Sequence, residues 1–307
     1  MPLPLVSFYV NSYNRLPLLR NLLNSFLVCN VYPNVEWIAV DYGSTDGSRE
    51  FLREFADSAH FPMKLIIEDA NRYPTIFGKF RNDARRMAEG DYFVEVPEDQ
   101  QFITKRDWVS ECLALFAHRK RLVGRNDLSC IVVYGYYRWR LNKPNNACYP
   151  EAQVDGTSYF LSKDKPYVDY HIMAREIFEL IGPYLEPPEF GPDSPLWEEW
   201  KVGDPSLRPE QDYQIRCAGL GLKRALLKYP ALVAFPNHCY PLPGPKEDGL
   251  LSPLWTLDEM KRRFGHLDRP VSSDELDPEH CGSESVQTLG WTTRVRQGLA
   301  RIIKSRN

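Results

Sequence analysis

Short apolar runs alternate with amphipathic stretches through the first 135 residues of the chain. Val6 to Val10 reads as a strand, and the turn-rich Asn11-Ser12-Tyr13-Asn14 follows it. Leu16 to Leu27 then places Leu18, Leu19, Leu22, Leu23 and Phe26 on one helical face. Trp37 to Val40 is a second strand ending at Asp41, and the polar turn from Gly43 to Gly47 leads into a helix from about Ser48 to Ala56. Met63 to Ile67 predicts a third strand, Phe77 to Ala88 a basic amphipathic helix stopped by Gly90, and Tyr92 to Val96 a fourth strand. Thr104 followed by Asp107 marks a helix start with Trp108, Cys112, Leu115 and Phe116 beneath it, and Ser129 to Tyr134 is a fifth strand. Strands separated by single helices imply right-handed crossovers and an α/β fold with a mostly parallel sheet flanked by helices on both faces.

The second half lacks that rhythm. Residues 136–170 mix aromatics with turn formers and show no period. Helices are expected over Ala174 to Leu180 and Gln211 to Leu220, with strands near Ala225 to Leu227 and Leu232 to Phe235. Between them, residues 183–209 are crowded with proline, the composition of a loop near a site. From about Leu242 the sequence is polar until a basic amphipathic stretch, Thr293 to Lys304.

Composition narrows the class. With 43% hydrophobic and 26% charged residues in 307, wholesale disorder is excluded and a real core is within reach. Thirty-eight basic against 41 acidic residues give a net charge of −3, which argues against a nucleic-acid partner. The longest uncharged apolar runs, such as Ile131 to Tyr137, are too short to span a bilayer, and the N-terminus has no basic segment of the signal-peptide kind. Seven cysteines without a C-x-x-C pair read as reduced packing residues. Together these predict a cytoplasmic protein.

Ligands of open α/β sheets bind beyond the carboxyl ends of the strands. That rule selects Asn11 to Arg15, Asp41 to Asp46, Pro97 to Gln100 and the polar residues after the fifth strand. Val6 to Arg15, with its Ser-Tyr-Asn-Arg ending, resembles the opening strand and turn of family 2 glycosyltransferases. Trp37 to Gly47 resembles that family's V-D-D-G-S-T-D-G segment, and Phe80 to Phe93 its R-N-x(7)-G-x-Y segment. Pro97-Glu98-Asp99 stands where the family has its acidic D-x-D turn. Asp169 to Leu185 resembles its acceptor-side helix ending in Gly, and Pro209 to Gly221 its E-D-x-D-x-x-x-R-x-x-x-x-G stretch. The similarity runs in order from residue 4 to about 240.

The resemblance implies a GT-A-like domain over 1–240, with a nucleotide-sugar half (1–135) and an irregular acceptor-side half (136–240), and a C-terminal extension over 241–307. It implies inverting transfer of a sugar from a nucleotide-diphosphate sugar to a glycan, lipid-linked or small-molecule acceptor. Asn11, Ser12, Tyr13, Arg15, Asp41, Tyr42, Arg81, Glu98 and Asp99 would contact the donor. A divalent cation, Mn2+ or Mg2+, would neutralise the leaving diphosphate, with Asp99 as ligand and His238 where some members place another. The acceptor hydroxyl needs a carboxylate base, and counting back from Arg216 selects Glu210 first and Asp212 second. The basic stretch Thr293 to Lys304 could touch the inner face of a membrane as a peripheral contact.

Each position also has a plainer reading. Asp41 and Asp46 could close a strand and cap a helix, Glu98-Asp99 could be a solvated turn, and Glu210 and Asp212 could be first-turn helix carboxylates. Tyr42 replaces the second Asp of V-D-D, a site where an aromatic ring could stack on a base. Pro97 replaces the first carboxylate of D-x-D. These departures make a catalytically silent nucleotide- or glycan-binding module the alternative. A nucleotidyltransferase fits less well, since residues 5–16 contain no glycine for a phosphate loop.

Overall fold

The computed structural model describes residues 2–69, 77–133, 151–162, 171–186, 208–234, 262 and 269–270. The chain begins with β1 (Val6–Ser12), α1 (Leu16–Cys29), β2 (Val35–Asp41), α2 (Ser48–Ser58), β3 (Met63–Ile67), α3 (Phe77–Met87) and β4 (Tyr92–Glu95). Then come β5 (Gln100–Phe102), α4 (Trp108–Val123), β6 (Leu128–Val132), β7 (Ala152–Val154), β8 (Thr157–Leu161), β9 (His171–Ala174) and α5 (Arg175–Ile181). The described chain ends in α6 (Arg208–Gly219), β10 (Lys223–Leu227) and β11 (Leu232–Ala234).

The expected alternation is the observed one. Nine strands form one sheet in the order β3-β2-β1-β4-β9-β6-β10-β8-β7, with β9 and β8 running against the others, and β11 pairs antiparallel with β5 beside it. The parallel set β3-β2-β1-β4 comes from consecutive strand–helix units, each strand apolar because both of its faces are covered. Helix starts follow local chemistry. A proline sits in the first turn of α1, where its missing N–H is not needed. The Asp107 side chain caps α4 by accepting from the Ser110 amide at 3.0 Å, so that helix begins after Asp107 and not at Thr104.

Alternation along the strands builds two cores. Phe8 stacks on Trp37 with ring centroids 5.2 Å apart, and Phe26 of α1 and Trp108 of α4 close over them edge-on. On the opposite face Tyr9, Ile38, Val40 and Tyr42 pack under Phe80, Ala84 and Ala88 of α3. Gly90 lets the turn before β4 press against β1, since a Cβ there would lie 2.5 Å from Ser7 Oγ and 2.7 Å from the Leu5 carbonyl oxygen.

Four short strands escaped the sequence reading: β5, β7, β8 and β9. β9 matters most. It comes from the sequence after residue 136 and is inserted between β4 and β6 of the first 135 residues, so both stretches share one sheet. The C-terminal extension, including Thr293 to Lys304, lies outside the described residues apart from Arg262, Arg269 and Pro270; the Arg269 carbonyl accepts from Thr104 Oγ1 at 3.2 Å.

Candidate active site at the carboxyl edge of the sheet

β1, β2 and β4 are neighbours and run in parallel, so Asn11 to Arg15, Asp41 to Asp46 and Pro97 to Asp99 emerge at one edge. The first two loops are bolted together. Asn14 adopts a left-handed backbone (φ 50°), its amide donates to Ser44 Oγ at 2.9 Å, and its Oδ1 accepts from the Thr45 amide at 2.8 Å. Asp46 accepts from the Leu16 amide at 2.8 Å on one oxygen and from Ser48 Oγ at 2.6 Å on the other, tying the starts of α1 and α2. Asp46 is therefore the loop-tying residue of its plainer reading.

Asp41 is different. It is wholly buried, and its Oδ1 accepts from the Gly43 and Ser44 amides at 3.0 and 2.9 Å. Its Oδ2 is buried with no hydrogen-bond partner among the described residues, and the Ser12 hydroxyl beside it in register is in the same state. Among the described residues the cation paired with it, Arg49, stays 4.0 Å from Oδ1. Burial pushes the Asp41 carboxyl above the usual carboxylate range despite the hydrogen bonds from Ser44 and Gly43. A buried, half-satisfied carboxylate costs stability and is suited to a donor supplied by a ligand.

The acidic turn repeats this design. Arg15, at the N-cap of α1, reaches Glu98 at 3.1 Å. Burial raises the Glu98 carboxyl and the Arg15 charge opposes it. Asp99 forms no such ion pair among the described residues, although the Arg15 charge also acts on it. Its Oδ1 is buried and unmatched among the described residues, and burial, then the neighbouring Glu98 carboxylate, push its carboxyl up to about 7. Among the described residues no three metal-ligating side chains gather. One orphaned, hard carboxylate oxygen nonetheless fits a divalent cation that draws its remaining ligands from phosphates and water. His238 lies outside the described residues.

Behind this edge lies a buried cluster of charges. Arg81 of α3 donates through Nε to Glu95 Oε1 at 2.6 Å, and its Nη2 lies 2.7 Å from Glu210 Oε1 and close to Glu95. Glu95 also accepts a hydrogen bond from Tyr9 Oη. One turn along α3, Arg85 lies over the rings of Phe178 (4.4 Å) and Tyr184 (4.8 Å) and donates to Tyr213 Oη at 3.2 Å. Two arginines thus balance two glutamates in a buried, aromatic-walled space. Burial disfavours the charge on Glu95, but Arg81, His171 and the Tyr9 hydrogen bond outweigh it and hold the carboxyl below its usual range.

The family model for glycosyl transferase family 2 matches residues 7–163, half of the chain. The chain belongs to glycosyl transferase family 2. It has the GT-A architecture anticipated from its motifs. Similar solved structures include S. aureus TarS (16% identity, TM-score 0.49, covering 75% of this chain and 36% of that one). TarS 1-349 in complex with UDP-GlcNAc has 18% identity and a TM-score of 0.48, covering 75% of this chain and 58% of that one. The mannosyltransferase PcManGT from Pyrobaculum calidifontis, in complex with GDP-Man and Mn2+, has 17% identity and a TM-score of 0.47, covering 76% and 58%. The chain thus spans less than two thirds of the length of each of these. Among curated proteins no sequence matches it.

Within this family 2 member the expected site residues separate into two groups. Asn11, Ser12, Tyr13, Arg15, Asp41, Glu98 and Asp99 share the carboxyl edge. Tyr42 does not present a stacking face there. It is 1% exposed, with its ring edge-on to Phe80 at 5.4 Å, because the residue after Asp41 turns into the α3-side core. Arg81 likewise faces Glu95 and Glu210, not an open diphosphate site. The two candidate bases also part. Asp212 pairs with Arg216 Nη2 at 2.6 Å, the same nitrogen donates to the Pro183 carbonyl, and Nη1 donates to the Ile181 carbonyl at the end of α5. Glu210 points inward to Arg81.

Several partners in the cluster were missed from sequence: Glu95, Arg85, Tyr9, Tyr184 and Tyr213. The available signal was a charge inside the apolar run Tyr92 to Val96, which must find a partner if buried. Asn82, beside Arg81, supplies a second tether: its side chain accepts from the Tyr184 amide at 2.9 Å and donates to the Tyr184 carbonyl at 2.8 Å. The paired Arg-Asn of the family motif therefore fastens two distant segments to α3.

Proposed function

We propose that this family member is an inverting glycosyltransferase that uses a nucleotide-diphosphate sugar. The observation that carries the reading is the pair of buried carboxylates, Asp41 at the end of β2 and Asp99 in the turn after β4, each with an oxygen left unmatched among the described residues. Asp41 and Ser12 suit hydrogen-bond donors of a nucleoside. Asp99 would hold a divalent cation, Mn2+ or Mg2+, whose role is to neutralise the charge on the leaving diphosphate.

Glu210 is the better base of the two candidates. Through Arg81 its carboxylate is brought beside Glu95, the last residue of β4, from which the acidic turn leads. In the proposed step an acceptor hydroxyl oxygen bonds to the anomeric carbon as the bond from that carbon to the diphosphate oxygen breaks. The hydroxyl proton passes to Glu210, and one displacement inverts the centre. The acceptor would be a glycan, a lipid-linked sugar or a small molecule. A cytoplasmic setting, with peripheral membrane contact through Thr293 to Lys304, completes the reading. Among the described residues no helix is long and apolar enough to cross a membrane.

Calorimetry with UDP and GDP, each with Mn2+, tests the donor side: one of them should bind, and Asp99→Asn should lose the metal-dependent part. Hydrolysis of the bound donor tests the base. Glu210→Gln should lower kcat by about 10²- to 10⁴-fold at unchanged donor affinity, whereas Asp212→Asn should not. Binding without turnover, unaffected by Glu210→Gln, would favour the silent module.

A further inference from the structure

Among the described residues, Arg81 carries an ion pair to each of two buried carboxylates from separate elements. It is 2% exposed, and nothing about holding a single glutamate requires a guanidinium so placed. Its Nε and Nη2 grip Glu95 on β4, and the same Nη2 grips Glu210 on α6, 129 positions further along the chain by sequence number. Tyr184 stacks on Tyr213 at 4.2 Å, and the Arg81 guanidinium lies 5.1 Å over the Tyr184 ring. The cation is thereby fixed from below by an aromatic face, and at its edge by Glu95, which Tyr9 of β1 holds in turn.

We propose that Arg81 is a positioning residue for the general base, orienting the Glu210 carboxylate against the end of β4 by sharing one guanidinium between Glu210 and Glu95. The proposal rests on the reading of Glu210 as base. A carboxylate must meet the acceptor proton within hydrogen-bond reach, and a planar, always-charged fork fixes its direction where a lysine would supply only a point charge. Sharing also sets the strength of the base. With Glu95 drawing on the same cation, Glu210 is held in place without being neutralised outright, as a private bidentate arginine would do.

Among the described residues the groups facing this cation include Glu95 of β4, Tyr9 of β1, Glu210 of α6, Tyr184 after α5 and Arg85 of α3, with His171 of β9 acting on Glu95. Two substitutions therefore pull the base in opposite directions. Arg81→Lys keeps a charge but cannot hold both carboxylates in a fork. Glu95→Gln keeps the shape and the acceptor for Tyr9 while leaving the cation to Glu210 alone.

The test is the pH profile of kcat for donor hydrolysis in the full-length protein, for wild type, Arg81→Lys, Glu95→Gln and Glu210→Gln, with donor affinity measured by calorimetry for each. Arg81→Lys should lower kcat by about 10²-fold, the cost of a misplaced group, and move the acidic limb to higher pH. Glu95→Gln should move the same limb to lower pH. Donor affinity should hold in both. A merely structural Arg81 would lower the amount of folded enzyme and leave both limbs where they are, and that result overturns the proposal. If Arg81→Lys fails to fold, the Glu95→Gln limb decides alone. If Glu210→Gln keeps the wild-type rate, the base reading itself fails. If Glu210→Gln loses turnover while neither limb moves, Glu210 remains the base and only the positioning role of Arg81 is lost.

Discussion

β2 carries a buried carboxylate at each end, and the two are kept in opposite states. Glu36, near its start, is surrounded by donors: Ser7 Oγ at 2.6 Å, the Glu89 amide at 2.6 Å, the Gly90 amide at 3.2 Å and Lys64 Nζ at 2.9 Å. Burial opposes its charge, but the hydrogen bonds from Lys64, Ser7 and the Glu89 amide prevail and hold its carboxyl below the usual range. Asp41, at the other end, has one oxygen bonded and one bare among the described residues, and burial leaves its carboxyl above the usual range. Two acids on one strand, both nearly inaccessible, thus differ only in how completely the chain satisfies them. The satisfied end joins β1, β2, β3 and the turn before β4. The unsatisfied end is where the proposed nucleotide site lies.

Breaking the satisfied end should have the largest effect. Glu36→Ala takes the acceptor from the Glu89 amide and from Ser7 Oγ and one acceptor each from the Gly90 amide and Lys64, and should destabilise the fold by about 3 kcal/mol in urea unfolding. Nucleotide affinity, measured above the stability limit, should be unchanged. An equal loss at both ends would erase the distinction.

Breaking the other end should spare the fold and affect the ligand. Asp41→Asn retains an acceptor for the Gly43 and Ser44 amides and removes a buried charge, so stability should stay within about 1 kcal/mol of wild type. Nucleoside diphosphate binding should weaken by about 1.5–3 kcal/mol, the worth of a hydrogen bond to a charged group. Calorimetry on the variant checks this, and undiminished affinity would remove Asp41 from the site.

The smallest effect is a difference in slope. The folded Glu36 carboxyl titrates below its unfolded value, so the stability it adds is present above the ordinary carboxylate range and is lost as pH falls through the folded value. The Asp41 carboxyl titrates above its unfolded value, so its contribution is complete below the ordinary range and is lost as pH rises through the folded value. Urea unfolding from acid to neutral pH should therefore flatten on the acid side in Glu36→Gln and on the neutral side in Asp41→Asn.

Much of this was legible beforehand, for a physical reason. Strands such as Trp37 to Val40 are covered on both faces and read as unbroken apolar runs, and helices such as α1 show one apolar stripe, so the first 135 residues declared their order. β5 did not, because Gln100-Gln101-Phe102 gains strand geometry only by pairing with β11, over a hundred residues away. β9 was equally silent: His171 to Ala174 looks like the lead-in to α5 until β4 and β6 bracket it. At the site, Asp41 and Asp99 were marked by motif and position. Arg81 was marked too, but its partners were not, since Glu95 and Glu210 reach it only through the tertiary fold. Tyr42 follows the candidate residue Asp41 in sequence, but strand alternation sends its ring to the opposite face.

The interleaving of β9 has a practical consequence for cutting this protein into pieces. The family match stops at residue 163, ahead of β9 and β10. A fragment ended there would leave β6 without a strand on either side, open the flank of β4 and detach the β7–β8 hairpin from the sheet. Such exposed ladders invite aggregation. The recognisable stretch is thus a signature and not a self-sufficient unit. Residues 1–163 and 164–307, produced as separate chains, should regain a folded state only by complementing one another.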